Sequence, residues 1–214
     1  MLEISSLTKR LGKRNVITNL SFSAQRQECI GLFGESGAGK TTLLNVISGL
    51  ASPSAGHVTV EGFDTQAHPL QARRALGYQL QDGLSHQTMS VKGVLNFIAA
   101  VRGFSGAEKR SRVDRAAMRL ELSRVLDAPI DTLSVGLKRR VAIAQAILHT
   151  PGLLLLDEPI EGLATDQLLK FKTLIQSLTE DMTVLIASRH CDNLSSLCTR
   201  ALVIAAGHLS LIHI

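Results

Sequence analysis

Apolar and polar residues alternate near the start of the chain, at Leu2 and Ile4, then at Leu20, Phe22 and Ala24, and again at Val58 and Val60 after Gly56. A period of two sends successive side chains to opposite faces, so these segments predict half-buried strands of an antiparallel sheet. The runs at 153–156 and 184–187 are apolar throughout, as strands covered on both faces are. Both are expected beside a third apolar run, Cys29-Ile30-Gly31-Leu32-Phe33. From 91 to 126 the period becomes helical, clearest where Val113, Ala116, Ala117, Leu120 and Leu126 share a face and arginines take the others. The end, Leu202-Val203-Ile204, then Ala206-Gly207-His208, then Leu209 and Leu211, reads as a hairpin.

Strands interrupted by a helical stretch and then resumed predict an α/β fold with a mixed sheet core, an N-terminal antiparallel β subdomain and a helical insert. A length of 214 residues suits one such domain, and neither an internal repeat nor a low-complexity linker divides it. Aromatic residues make up only 3% of the chain, so Leu, Ile, Val and Ala must build the core. The apolar runs fall far short of the ~20 residues that cross a bilayer, and no signal peptide opens the chain. Cys29, Cys191 and Cys198 form neither an even set nor a C-x-x-C pair, which favours reduced thiols in a cytoplasmic protein over disulfides or zinc. The charge of +5 gathers at Lys109-Arg110-Ser111-Arg112 and Lys138-Arg139-Arg140. Without interleaved aromatics these read as solvated helix faces, and no nucleic-acid partner is expected.

Candidate chemistry begins directly after the 29–33 run. Gly34-Glu35-Ser36-Gly37-Ala38-Gly39-Lys40-Thr41-Thr42 fits G-x-x-x-x-G-K-[ST], the phosphate-binding P-loop or Walker A pattern. Its glycines let backbone N–H groups wrap a polyphosphate, Lys40 supplies a cation for the β- and γ-phosphates, and the Thr41 hydroxyl can join a Mg²⁺ shell. The helix that follows, with Leu43, Leu44 and Ile47 on one face and Gly49 as its stop, points its positive end at the phosphates. A second half of the site follows the 153–156 run, where Asp157 and Glu158 form a Walker B pair. Asp157 can hold Mg²⁺ directly or through water. Glu158 then diverges from it and is placed to polarise an attacking water.

With these two motifs in order, the chain resembles the nucleotide-binding subunits of ATP-binding cassette (ABC) transporters over essentially its whole length. Leu133-Ser134-Val135-Gly136 resembles the family's signature, just ahead of Walker B; on its own it reads equally as a helix N-cap by Ser134. Gly77-Tyr78-Gln79-Leu80-Gln81 resembles the Q-loop, which implies that Gln81 senses Mg²⁺ and the γ-phosphate. Ser188-Arg189-His190 resembles the switch region, which implies a γ-phosphate contact from His190. The resemblance implies one nucleotide-binding domain over 1–214, with 1–83 and 136–214 as the ATP-binding core and 84–135 as a helical subdomain. Two positions depart from the family: Leu11 stands where an aromatic usually stacks on adenine, and Ala164, in Glu161-Gly162-Leu163-Ala164, stands where an aspartate is usual.

The function so implied is an ATP-binding and ATP-hydrolysing subunit, with ATP and Mg²⁺ as cofactors. It would power a membrane permease from the inner face of the cell membrane. The active unit would be a head-to-tail homodimer or heterodimer with ATP between Walker A of one chain and Ser134 and Gly136 of the other. The basic signature and the short chain favour an exporter-like subgroup. Two other readings stand beside it. A soluble ABC-type ATPase acting on DNA or ribosomes is opposed by the short insert. A weakly hydrolysing regulatory module, suggested by Leu11 and Ala164, is opposed by the presence of Glu158 and His190. Cargo is not written in this sequence, because a fold does not carry specificity.

Overall fold

The computed structural model describes residues 1–81 and 88–212, so the junction expected at 83 and 84 lies outside the described residues. Strands β1 (Leu2–Leu11) and β2 (Arg14–Ala24) form a hairpin, and β1 also pairs antiparallel with β4 (Ala55–Val60), which pairs with the short β5 (Phe63–Asp64). The second sheet contains β3 (Cys29–Phe33), β6 (Leu76–Gln79), β7 (Leu153–Asp157), β8 (Thr183–Ser188), β9 (Arg200–Ala205) and β10 (His208–Ile212). Its order is β10-β9-β3-β8-β7-β6, parallel except for the β9–β10 hairpin. The predicted antiparallel unit, mixed sheet and terminal hairpin are all present.

One expectation needs correction. Of the two later apolar runs, only β8 lies beside β3; β7 is one strand further out. Both read as fully buried strands, and burial on both faces does not say which of two such strands takes the inner place.

The pleat of the second sheet divides the core. Ile30, Leu32, Leu153, Leu155, Leu185 and Ala187 face the antiparallel sheet and helix α1 (Lys40–Ile47). Their neighbours Cys29, Phe33, Leu154, Leu156, Val184 and Ile186 face a helical layer. That layer comprises α3 (Val91–Val101), α4 (Gly106–Arg119), α5 (Val135–Ile147) and α6 (Thr165–Thr179), while the six-residue α2 (Pro69–Arg74) leads into β6. The face predicted on α4 is the buried one: Val113, Ala116 and Ala117 are inside, with Leu120 just beyond the helix end. Ser90 caps α3 by accepting a hydrogen bond from the Gly93 N–H at 3.1 Å. Among the described residues no helix is long and apolar enough to cross a membrane.

Candidate active site

The loop between β3 and α1 is shaped by its glycines. Gly39 has φ +111°, a left-handed conformation, and a Cβ there would come within 2.9 Å of the Val16 carbonyl oxygen. Gly37, at φ +79°, meets no such obstacle and is needed for the backbone conformation alone. The loop folds around the Lys40 ammonium, which donates to the carbonyl oxygens of Gly34 at 2.7 Å and Glu35 at 3.1 Å. Lys40 is also 3.3 Å from Glu158 Oε1, and both side chains are only 6% exposed. Nothing in the sequence announced this pairing of the two motifs.

Glu158 follows β7 directly. Its N–H donates to the Ala187 carbonyl at 2.9 Å, and its φ of +45° is left-handed in a residue that has a Cβ. Such strain, of order 1–3 kcal/mol, persists where surrounding contacts hold it, commonly at functional sites. The neighbouring Asp157 is fully buried, and neither of its carboxylate oxygens has a hydrogen-bond partner. Burial raises its pKa, with Glu158 adding to the effect, while Thr41, Lys40 and Tyr78 oppose it from nearby. An orphaned buried carboxylate beside a threonine hydroxyl is a hard oxygen donor set, and it fits Mg²⁺.

Lys40, Thr41 and Glu158 line a cleft of about 430 Å³, within the usual range for small-ligand sites of ~300–1,000 Å³. Ser36, Gly37, Gly39, Lys40, Thr41 and Thr42 of the loop and α1 line it. Gln81, Glu158, Glu161 and Arg189 line it as well, as do Arg14, Val16 and Leu11, the position where the family usually has an aromatic. Gly34, Glu35 and Ala38 line an adjoining hollow next to Ala205 and Ala206. Gln81 Nε2 donates to Glu161 Oε2 at 3.0 Å, and Glu161 is also ion-paired with Arg189. Arg189 donates its backbone N–H to Glu158 Oε2 at 3.2 Å.

Four predicted residues line neither the cleft nor the adjoining hollow: the fully buried Asp157, His190, Ser134 and Gly136. His190 is exposed, with its backbone N–H on Ser188 Oγ at 3.1 Å, and it is absent from the cleft wall. Ser134 and Gly136 line a separate hollow with Leu163, Gln167 and Phe171. Ser134 does cap α5, accepting the Leu137 N–H at 3.3 Å, so the N-cap reading and the signature position coincide. Sequence reasoning missed Arg139, whose guanidinium donates to the carbonyl oxygens of Gln81 at 3.1 Å and Glu161 at 3.5 Å. It was read as part of a solvated basic face, and α5 instead aims it at the cleft wall. Glu161 and Arg189 were passed over because nothing in their spacing brings residues 81, 161 and 189 together.

A parallel sheet with a glycine loop closing on a lysine at the end of β3, and an acidic pair at the end of β7 two strands away, defines a P-loop nucleoside triphosphatase. Comparison with known proteins narrows the class. Residues 17–161 match the ABC transporter family. The chain is 30% identical to the ABC transporter ATP-binding protein NatA of Bacillus subtilis, over 98% of its own length and 87% of the relative's. It is 30% identical to the linearmycin resistance ATP-binding protein LnrL of the same organism, covering 98% and 68%, and 33% identical to the Nod factor export ATP-binding protein I of Rhizobium meliloti, covering 97% and 62%. Among solved structures, cbiO1 from Clostridium perfringens, part of the cbiONQ ABC transporter complex, superposes with a TM-score of 0.89 at 26% identity, covering 98% of this chain and 86% of that one. The chain belongs to the ABC transporter family, as an ATP-binding and ATP-hydrolysing subunit.

Proposed function

We propose that the cleft binds Mg²⁺-ATP and that the chain hydrolyses it to drive a membrane permease, with each residue acting as follows. The N–H groups of 34–42 cradle the phosphates, and Lys40 exchanges its present carbonyl partners for phosphate oxygens. Asp157 and Thr41, with Gln81 beyond them, hold Mg²⁺, which when bound neutralises developing phosphate charge. Among the described residues no three His, Cys, Asp or Glu are grouped so that they could hold a metal ion by themselves, and none is needed where phosphates and water complete the shell. Glu158 accepts a hydrogen bond from the attacking water and orients it, and His190 approaches only when the site closes.

The observation that carries this reading is the contact of Lys40 with Glu158 across the cleft, since it puts the phosphate-binding cation and the water-orienting carboxylate on one small volume. Ser134 and Gly136 open on a different hollow, so a second chain is needed to bring a signature against the phosphates. That supports a head-to-tail dimer, with residues 84–135 as the helical unit that relays its closure. The chain then works on the inner face of the cell membrane. Relatives named for resistance and for Nod factor export support an exporter.

Nucleotide titration and turnover test this directly. Lys40→Ala is expected to lose ATP binding, and Glu158→Gln to bind ATP yet lose at least about a hundredfold in turnover. ATP binding at wild-type affinity by Lys40→Ala would refute the cleft as the nucleotide site.

A further inference from the structure

Two cations face one carboxylate oxygen in the cleft. Lys40 Nζ lies 3.3 Å and Arg189 Nε 3.9 Å from Glu158 Oε1. The Arg189 backbone is fixed there, because its N–H donates to Glu158 Oε2 and it directly follows the end of β8. Its side chain is less constrained: it is 38% exposed and ion-paired with Glu161, which is 41% exposed. An ion pair so open to water is worth ~0–1 kcal/mol, so giving it up costs little. Meanwhile His190, one residue along, is exposed and does not line the cleft.

We propose that Arg189 is a γ-phosphate-binding residue of this chain, held in reserve by Glu161 until the triphosphate arrives. The proposal rests on the nucleotide reading above and adds to it a second cation opposite Lys40. The guanidinium is a planar fork that meets two phosphate oxygens at once, whereas an ammonium meets them as a point charge. Arriving γ-phosphate would take Lys40 from Glu158, leaving that carboxylate facing a dianionic group. Arg189, already beside the same carboxylate, can turn from Glu161 to the phosphate and offset that repulsion. ADP lacks the group that reaches this part of the cleft, so Arg189 would separate ATP from ADP. The exchange also frees Glu161, and with it the Gln81 side chain that Glu161 now holds.

Equilibrium titration with Mg²⁺-ATP and Mg²⁺-ADP tests the assignment on wild type, Arg189→Ala and Arg189→Lys. We expect Arg189→Ala to lose about tenfold in affinity for ATP, as the loss of one charge-assisted contact gives, and to keep its ADP affinity within about twofold. Arg189→Lys should recover part of the ATP preference. Equal losses for both nucleotides would mean that Arg189 only supports the loop, and no loss for either would mean that it never meets the phosphate; each overturns the proposal. A wild-type chain that binds neither nucleotide would instead remove the nucleotide reading itself, so the two failures are distinguishable.

Discussion

Lys40 Nζ sits 3.3 Å from Glu158 Oε1, with both side chains only 6% exposed, so the lysine of the phosphate loop is paired with a buried carboxylate. ATP therefore competes with a carboxylate for this ammonium. Replacing Glu158 by Gln keeps the shape and removes the competitor. Glu158→Gln should bind ATP several-fold more tightly than wild type by titration calorimetry, while turnover falls by at least about a hundredfold. Weaker ATP binding by this variant would mean that the pair prepares the site instead of competing for it.

Asp157 is a buried carboxylate without a partner, and burial raises its pKa. The sign follows from proton counting. The folded state binds more protons than the unfolded state above the ordinary carboxylate range, so stability falls as pH rises through the raised pKa. Asp157→Asn removes that penalty, and it should raise the Tm of the nucleotide-free protein by a few degrees at neutral pH while abolishing Mg²⁺-dependent turnover. A lower Tm would show that the carboxylate is already satisfied.

Ala164 is the N-cap of α6, with extended φ and ψ of −69° and 161° and no side-chain acceptor for the first-turn N–H groups. Ala164→Asp supplies that acceptor and a negative charge at the positive helix end, which should add about 1 kcal/mol in denaturant unfolding. If the position also couples the two nucleotide sites, ATPase activity or its cooperativity rises as well. A gain in stability without a gain in activity confines Ala164 to helix capping.

His149 is held neutral. Burial lowers its pKa from 6.5 to about 4, Arg102 and Arg112 adding to the effect, although Nε2 lies 3.1 Å from the Leu76 carbonyl oxygen. Between these values the unfolded chain binds the proton more readily, so stability rises with pH across this window and is lost as pH falls through it. From pH 7.5 to pH 5 this one group should cost about 2 kcal/mol, read by denaturant unfolding. His149→Gln should lose less over the same interval by about that amount, and equal losses in both proteins would exclude His149 as the source.

The sequence made local features legible and left contacts between distant segments hidden. Alternation at Leu2, Ile4, Val58 and Val60 marked the antiparallel strands, because one face of each is buried and the other is not. The phosphate loop and Asp157-Glu158 were legible because their chemistry needs fixed spacing. Strand order was not: β7 and β8 are equally apolar, and sequence has no term for which lies inside. Nor was the polar chain from Gln81 through Glu161 to Arg189, whose members come from three loops brought together only by the parallel sheet. Arg139 misled for a related reason. A basic run on a helix ordinarily faces water, and the packing of α5 turns this one toward the cleft.

The central claim is that one chain holds half a site. Mixing two damaged chains tests it most directly. Lys40→Ala lacks a working phosphate loop but keeps its signature, and Ser134→Arg keeps its phosphate loop but blocks its signature. Each alone should be nearly inactive as an ATPase. An equimolar mixture of the two should recover about a quarter of wild-type activity, because about half the dimers pair unlike chains and each such pair has one intact site of two. Full activity of Ser134→Arg alone would place a complete site within a single chain, and no recovery on mixing would rule out a site shared between two copies of it.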